Sequence, residues 1–433
     1  MSSICSARAD RGCGVAERLT IARLGQRGDG IAQTDAGSVF VPGALPGEIV
    51  LAEVTGDRGR LVSIETPSPD RVAAACPLFG RCGGCATQHA APALYAAWKH
   101  DMVATALAQA GLNVAVEPLV PAHGEGRRRV TLHARRTATG IVVGFMAARS
   151  HEIVPIEACP LLVPALAAGL PAARALAGAL TATGKPLDIQ MTATSGGLDI
   201  DVRGHGPASP KQRTALTGLA GRLGLARLSL HGDVIVELRP PVLRVGPADL
   251  LPPPGGFLQA TLAGEETLGA LVEDAVGKAK SVADLFAGVG PFALRIARGA
   301  AVHAVESDAA ALASLDRAAR GTPGLRRITV ETRDLYRRPL LGPELTRFDA
   351  VVLDPPRAGA EAQARALAAS AVPLVVAVSC SAATFARDAA LLAAGGYALY
   401  RVTPVDQFLH SAHVEIVGVF KKPPQVRPRR ALG

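Results

Sequence analysis

Cys380 stands in Ser379-Cys380-Ser381, at the end of the apolar run Val372 to Val378. Upstream lie Asp354-Pro355-Pro356-Arg357, Asp334, Glu306 and the stretch Asp284-Leu285-Phe286-Ala287-Gly288-Val289-Gly290-Pro291-Phe292; downstream, Glu415 sits in HSAHVEIVGVF. A lone cysteine in apolar surroundings is commonly an inert core residue. Cys380 differs in position, because a strand end over a ligand crevice is where a nucleophile is usable. A thiol there suits one problem in particular. Carbon 5 of uracil is a poor nucleophile, but thiolate addition at carbon 6 makes an enolate that can take a methyl cation equivalent from a sulfonium donor. A base must then remove the carbon 5 proton so that the thiolate can leave, and Glu415 is the candidate. Without the rest of the pattern, Glu415 would read as a surface glutamate on a strand.

Gly288 and Gly290 follow a strand pattern and let the backbone approach a ligand closely, while the next strand ends at Glu306, an acid suited to ribose hydroxyls. Alone, this unit is also what a tight turn and an ordinary surface acid look like. Asp334 follows a third strand, where an acid could reach an adenine edge, and Asp354 follows a fourth. A dehydrogenase has no need of Asp-Pro-Pro-Arg, whereas methyltransferases acting on nitrogen or carbon of bases often carry a similar tetrapeptide. The expected ligand therefore moves from NAD to S-adenosylmethionine.

The elements that position these residues form a regular alternation. SVADLF, AVHAVE, ITVET, FDAVVLD and LVVAVS are short, nearly continuous apolar strands separated by alanine-rich helices, which implies a mostly parallel sheet buried on both faces. The uncharged run Ala366 to Ala386 is long enough for a bilayer, but Pro373, Ser379, Ser381 and Thr384 make it a helix end, a buried strand and then a loop. Ahead of this lies Leu19 to Ile64, where apolar runs through Val39, Val41, Ile49, Leu51 and Val54 are cut by Pro-Gly turns, as in a small barrel. Between them, a helical stretch Ala91 to Ala110, the strands TLHARR, IVVGFMA and LDIDVRG, and a helix near Val163 to Leu180 indicate an α+β insert. Pro240 to Pro254 reads as the boundary before the last domain. The expected domains are a barrel at 15–70, an insert at 71–250, an α/β domain at 251–421 and a basic tail at 422–433.

Cys76, Cys82 and Cys85 are spaced C-x5-C-x2-C, and Cys159 follows in EACPLL. Four thiolates suit an iron–sulfur cluster or structural zinc; the unpaired spacing favours the cluster, and coincidence is the bland alternative. His89 and His133 read as hydrogen-bonded structural histidines, and Cys5 and Cys13 have no assigned role. The net charge of +9 includes five cations and no acid in Lys421 to Gly433, so the body is only mildly basic. At 3% aromatic residues, a nucleic-acid surface built mainly from stacking rings is not expected. The start of the chain lacks the apolar stretch of a signal peptide, so a cytoplasmic protein is expected, with no membrane and no obligate protein partner.

These motifs, in this order, resemble the RNA 5-methyluridine (uracil-C5) methyltransferase family, and most closely its iron–sulfur-containing ribosomal RNA branch with an N-terminal TRAM barrel. The similarity runs from about Leu19 to Phe420 through CPLFGRCGGC, SHEIVPIEACPLL, GGFLQATLAGEETL, DLFAGVGPFAL, VLDPPRAG, VSCSAATFARDAALLAAGGYAL and PVDQFLHSAHVEIVGVF. The resemblance implies a Rossmann-like class I methyltransferase domain in an α/β chain, beside an OB-like barrel. It implies S-adenosylmethionine contacts from Gln259, Phe286, Gly288, Gly290, Glu306, Asp334 and Asp354, Cys380 as nucleophile and Glu415 as proton acceptor. It further implies a [4Fe–4S] cluster on Cys76, Cys82, Cys85 and Cys159, and methylation of a uridine in structured RNA. The expected RNA is 23S ribosomal RNA; transfer RNA, or a catalytically inactive iron–sulfur RNA-binding protein, are the alternatives. Arg127, Arg128 and Arg129, with Arg23, Arg27, Arg58 and Arg60 on the barrel, are candidate phosphate contacts. Three positions depart from the family pattern: Pro291 replaces an Asn, Ser381-Ala382 an Asn-Pro, and Gln407 a common Met.

Overall fold

The computed structural model describes residues 15–180 and 186–423. Cys5, Cys13 and the basic tail from residue 424 lie outside the described residues. By its contacts the chain divides into two units, one of residues up to 98 with 410–412 and the other of residues 99–409 with 413 onward.

In the first unit, the glycine-punctuated alternation closes as a barrel of five strands, Val15–Leu24, Gly30–Thr34, Gly37–Val41, Ile49–Thr55 and Arg58–Thr66. Leu19, Ile21, Val39, Val41, Val50 and Ala52 point inward as its core. The lumen is tight: a Cβ on Gly59 would lie 2.9 Å from Val41 Cγ2. Arg58 pairs with Asp29 and stacks on Phe40, and Arg60 pairs with Glu53, while Arg23 and Arg27 are exposed.

The second unit holds two sheets. One is a seven-stranded sheet, antiparallel except where Gly197–Arg203 runs parallel to Arg227–Leu230; Arg129–Thr137 and Gly140–Met146 belong to it. The other carries the chemistry-bearing motifs. Its strands are β1 (Ser281–Leu285), β2 (Ala301–Glu306), β3 (Ile328–Thr332), β4 (Ala350–Leu353), β5 (Leu374–Ser379), β6 (Ala398–Asp406) and β7 (Glu415–Lys421). Their order is β3-β2-β1-β4-β5-β7-β6, with the short strand Val120–Pro121 added at the edge. The first five are parallel, and their apolar runs are buried between two hydrophobic layers, as near-continuous aliphatic strands require. β7 runs antiparallel to both β5 and β6.

Two expectations change. Pro240 to Pro254 contains a hairpin, Leu243–Val245 with Ala248–Leu250, whose apolar residues join the core of the catalytic sheet. The insert is also bonded to the last domain: Thr261 Oγ1 donates to Ala122 O at 2.7 Å, and the Ala122 N–H to Asp406 O at 2.8 Å. By contacts, residues 99–409 fall within one unit. The loop expected after Val378 is only Cys380-Ser381, because Ser381 Oγ accepts the Thr384 N–H and caps the helix Ala382–Ala394. Among the described residues no helix is long and apolar enough to cross a membrane.

Lys99 is fully buried and donates to Asp406 Oδ1 at 2.5 Å, Phe408 O at 3.0 Å and His413 O at 2.7 Å, which ties the segment between β6 and β7 in place. Lys99→Met should strand the Asp406 carboxylate and lower the unfolding free energy by about 3–5 kcal/mol, measured by urea denaturation. A loss under about 1 kcal/mol would show that the buried pair is not a structural anchor.

Candidate functional site

The loop after β1 begins with Asp284, fully buried, whose Oδ2 accepts the Ala293 N–H at 3.0 Å. That bond curls residues 286–292 over the end of the sheet. Burial raises the Asp284 carboxyl to about 7, opposed by the Ala293 N–H and reinforced by Glu306. Phe286, Gly288 and Gly290 all have positive φ, at 61°, 54° and 82°. For Phe286 this is a conformation that side chains disfavour, and such strain gathers at ligand sites. Its ring lies 5.4 Å from that of Tyr336.

The polar groups at the ends of the strands converge on this loop. Glu306, ending β2, accepts the Gly288 N–H at 3.1 Å on one oxygen and the Ser307 and Asp308 N–H groups on the other. Asp334, after β3, accepts the Tyr336 N–H at 2.9 Å. Asp354 follows β4 and Cys380 follows β5. Glu415 opens β7, with its Oε1 accepting from Gln407 Nε2 at 3.0 Å. A cavity of about 730 Å³ brings Gln259, Phe286, Gly288, Glu306, Asp334, Asp354, Cys380 and Glu415 together. Its size suits a small-molecule ligand. Gly290 plays a different part: it packs beneath the loop, where a Cβ would lie 2.3 Å from Leu315 Cδ1.

The electrostatics separate the groups by role. Burial raises Glu415 to about 7, partly offset by the Gln407 hydrogen bond and by Arg357 and Lys99. Burial, reinforced by Glu415, Asp284 and Glu306, lifts Asp354 well above the carboxylate range. Burial also pushes the Cys380 thiol up to about 11, with Glu415 and Asp354 adding to it and Arg357 opposing. Arg357 donates to His413 Nε2 at 2.9 Å. Burial, with Arg357, Lys99 and Arg127 nearby, lowers His413 to about 4, so its imidazole is neutral. A cavity with buried carboxyls beside the Phe286 and Tyr336 rings fits a ligand with a ring to stack and a positive charge of its own. The residues present therefore suit a nucleoside sulfonium.

The three consecutive arginines do not act alike. Arg127 and Arg129 line the cavity, lying over the rings of Phe408 and Phe257. Arg128, expected as a phosphate contact, is instead buried: it donates to Glu265 Oε2 at 2.5 Å and to Gln259 O at 3.2 Å. Arg128 lies in the bend just before the strand Arg129–Thr137, and its N–H donates to Ala260 O at 2.9 Å, which holds it against the Gln259 segment. Tyr336, His413, Lys99 and Gln407 went unrecognised as site residues; of these only Gln407 left a signal, as a polar residue where the family pattern has Met.

Cys85 Sγ accepts from Gln88 Nε2 at 3.2 Å and Cys82 Sγ from the Gly84 N–H at 3.5 Å. Among the described residues no three His, Cys, Asp or Glu side chains form a group that could hold a metal ion. The described residues thus give no support to the expected [4Fe–4S] cluster. His133 bonds Asp188 at 2.8 Å, as a structural histidine should. His89 does not follow that expectation: both ring nitrogens are buried without a hydrogen-bond partner, and burial, with Arg71 adding to it, lowers it to about 4.

Comparison with known proteins adds the following. Residues 14–66 match the TRAM domain. An RNA methyltransferase of Brucella suis, itself named uncharacterized, is 49% identical over 94% of this chain and 98% of its own length. The 23S rRNA (uracil(1939)-C(5))-methyltransferase RlmD of Halomonas elongata is 33% identical over 94% of this chain and 90% of its own length. The crystal structure of the Pyrococcus abyssi tRNA (uracil-54, C5)-methyltransferase with S-adenosyl-L-homocysteine superposes with a TM-score of 0.72, over 93% of this chain and 99% of that one, at 22% identity. That likeness establishes the class I methyltransferase fold.

Gly290→Ala would force a side chain into a positive-φ position and against Leu315. Left-handed backbone costs about 1–2 kcal/mol and overpacking about 1–3 kcal/mol. A lower melting temperature is expected, together with weaker calorimetric binding of S-adenosylhomocysteine; unchanged values of both would show that the loop tolerates the side chain.

Proposed function

Because this chain belongs to the TRAM-containing RNA methyltransferases, we propose that it methylates carbon 5 of a uridine in structured RNA, with S-adenosylmethionine as methyl source. The observation that carries this reading is the shared cavity: Cys380, Glu415 and Asp354 open into the same space as the Gly288 loop, Glu306 and Asp334. Gln259, Phe286, Gly288, Glu306, Asp334 and Asp354 would hold the methyl source, with Gly290 shaping the loop from beneath. When bound, S-adenosylmethionine supplies a methyl cation equivalent.

The chain's own residues do the rest. As the RNA and the methyl source enter, the Cys380 thiol gives its proton to solvent and the thiolate adds to carbon 6 of a uracil turned out of its stack, so that carbon 5 becomes the nucleophile. After methylation the Glu415 carboxylate takes the carbon 5 proton, and the C6–S bond breaks to return the thiolate. The raised thiol keeps Cys380 protonated, and so unreactive towards stray electrophiles, in the empty protein. Arg127 and Arg129, at the cavity wall, would meet phosphate on the way in. Ribosomal RNA is the favoured substrate because RlmD is related over nearly its full length; transfer RNA would be read out by the same assay. The expected cluster cysteines enter no step.

RNA carrying 5-fluorouridine at the target should form a stable covalent adduct with the wild-type protein, since fluorine cannot leave as a proton does. Cys380→Ala should form none, and a Cys380→Ala variant that still makes 5-methyluridine would refute the covalent route. Glu415→Gln should add to unmodified RNA but release product about 10²- to 10⁴-fold more slowly.

The sign of the pH dependence follows from Glu415. Its carboxyl titrates at about 7 rather than 4.5, so the base is lost as pH falls through 7. Since kcat/KM reports the free enzyme, its acid side should steepen below a limb near pH 7 as Glu415 is protonated, while the Cys380 thiol adds a separate, shallower rise towards 11. A limb near 4.5 would remove Glu415 from the role.

A further inference from the structure

Gln407 lies between β6 and β7 and is almost wholly buried. Its Oε1 accepts the Ala260 N–H at 2.9 Å and the Thr261 N–H at 3.4 Å. Its Nε2 donates to Gln259 Oε1 at 2.6 Å and to Glu415 Oε1 at 3.0 Å. Backbone N–H groups can only donate, so the Gln407 oxygen must face them and its NH2 must face the other two side chains. The amide has no alternative orientation. The seat is close: a Cβ on Gly264 would fall 2.7 Å from both Gln407 Cβ and Oε1. Helix Leu262–Val276 can begin against Gln407 only because that position is glycine.

The direction of each bond has a consequence. A carboxylate that accepts a hydrogen bond is favoured in its charged form, so Gln407 biases Glu415 towards the base. Gln259 has its oxygen engaged and therefore has its NH2 left as the group it can offer the cavity. A methionine, the usual family residue at this position, could make neither bond.

We propose that Gln407 is a positioning residue that ties the methyl-source contact Gln259 to the proton acceptor Glu415 through a single amide. The inference rests on the proposed methyl transfer and deepens it. Arg357 and Lys99 favour the charge on Glu415, while Asp354 and Cys380 face it across the cavity and oppose charge. Gln407 is the one hydrogen-bond donor to Glu415 recorded among the described residues.

The test is Gln407→Met, near in volume and identical to the family residue, compared with wild type in three measurements on the full chain. Removing the amide should move the acid limb of kcat/KM upward by about one pH unit. The KM for S-adenosylmethionine should rise severalfold, while adduct formation with 5-fluorouridine RNA at saturating S-adenosylmethionine stays near wild type. Gln407→Glu, which keeps the acceptor for Ala260 and Thr261 but sets a second carboxyl beside Glu415, should move the limb further up. If either folded variant loses rate evenly at all pH values with an unmoved limb, Gln407 is packing alone and the proposal falls. Failure of the wild-type protein itself to form the adduct would instead defeat the underlying reading.

Discussion

The site depends on the direction of one strand. β1 to β5 are parallel, and each delivers its carboxyl end to the same edge; β7 enters between β5 and β6 in the opposite sense. In the ladder Ser379 of β5 pairs with Ile416 of β7, so the next step of the register sets Cys380 beside Glu415. A parallel β7 would carry Glu415 to the far end of the sheet. The thiol and carboxyl that the chemistry needs together are thus joined by backbone hydrogen bonds, and a slip of one residue would turn Glu415 to the other face.

Burial at that edge does the electrostatic work. Asp284, Asp354 and Glu415 all rise chiefly because each is desolvated, Asp354 with Glu415 and Asp284 adding to it, and the Cys380 thiol rises with them. Such a cavity resists charging when empty and favours a cation. Lys99 and Arg357 stand behind the carboxyls as fixed counter-charges, Lys99 anchored by three acceptors and Arg357 by His413. With the Gln407 hydrogen bond they offset burial and hold Glu415 at about 7, in the range where a base works at neutral pH.

The same edge is closed by the insert. Arg128 and Glu265 form a buried pair, and the Arg128 N–H donates to Ala260 O beside the Gln259 segment, so the wall that carries Gln259 hangs from the seven-stranded sheet. This explains why the proline-rich stretch before Gly255 is packed rather than free, and why two consecutive arginine neighbours reach the cavity while the one between them does not.

Much of this was legible in the residues themselves. The alternation of apolar strands and alanine-rich helices dictates the sheet, and the acids and the thiol that end those strands fall at one edge because parallel strands share a direction. The Pro-Gly turns and alternating valines dictate the barrel. Spacing could not reveal what depends on approach between distant segments: the inward turn of Arg128 onto Glu265, the burial of Lys99 on Asp406, and the amide of Gln407 held between Gln259 and Glu415. A local pattern specifies which side chains a strand or loop presents. Which partner meets each side chain, and whether water is excluded when it does, is settled by packing across the whole chain, and the charge state of every group in the cavity follows from that exclusion.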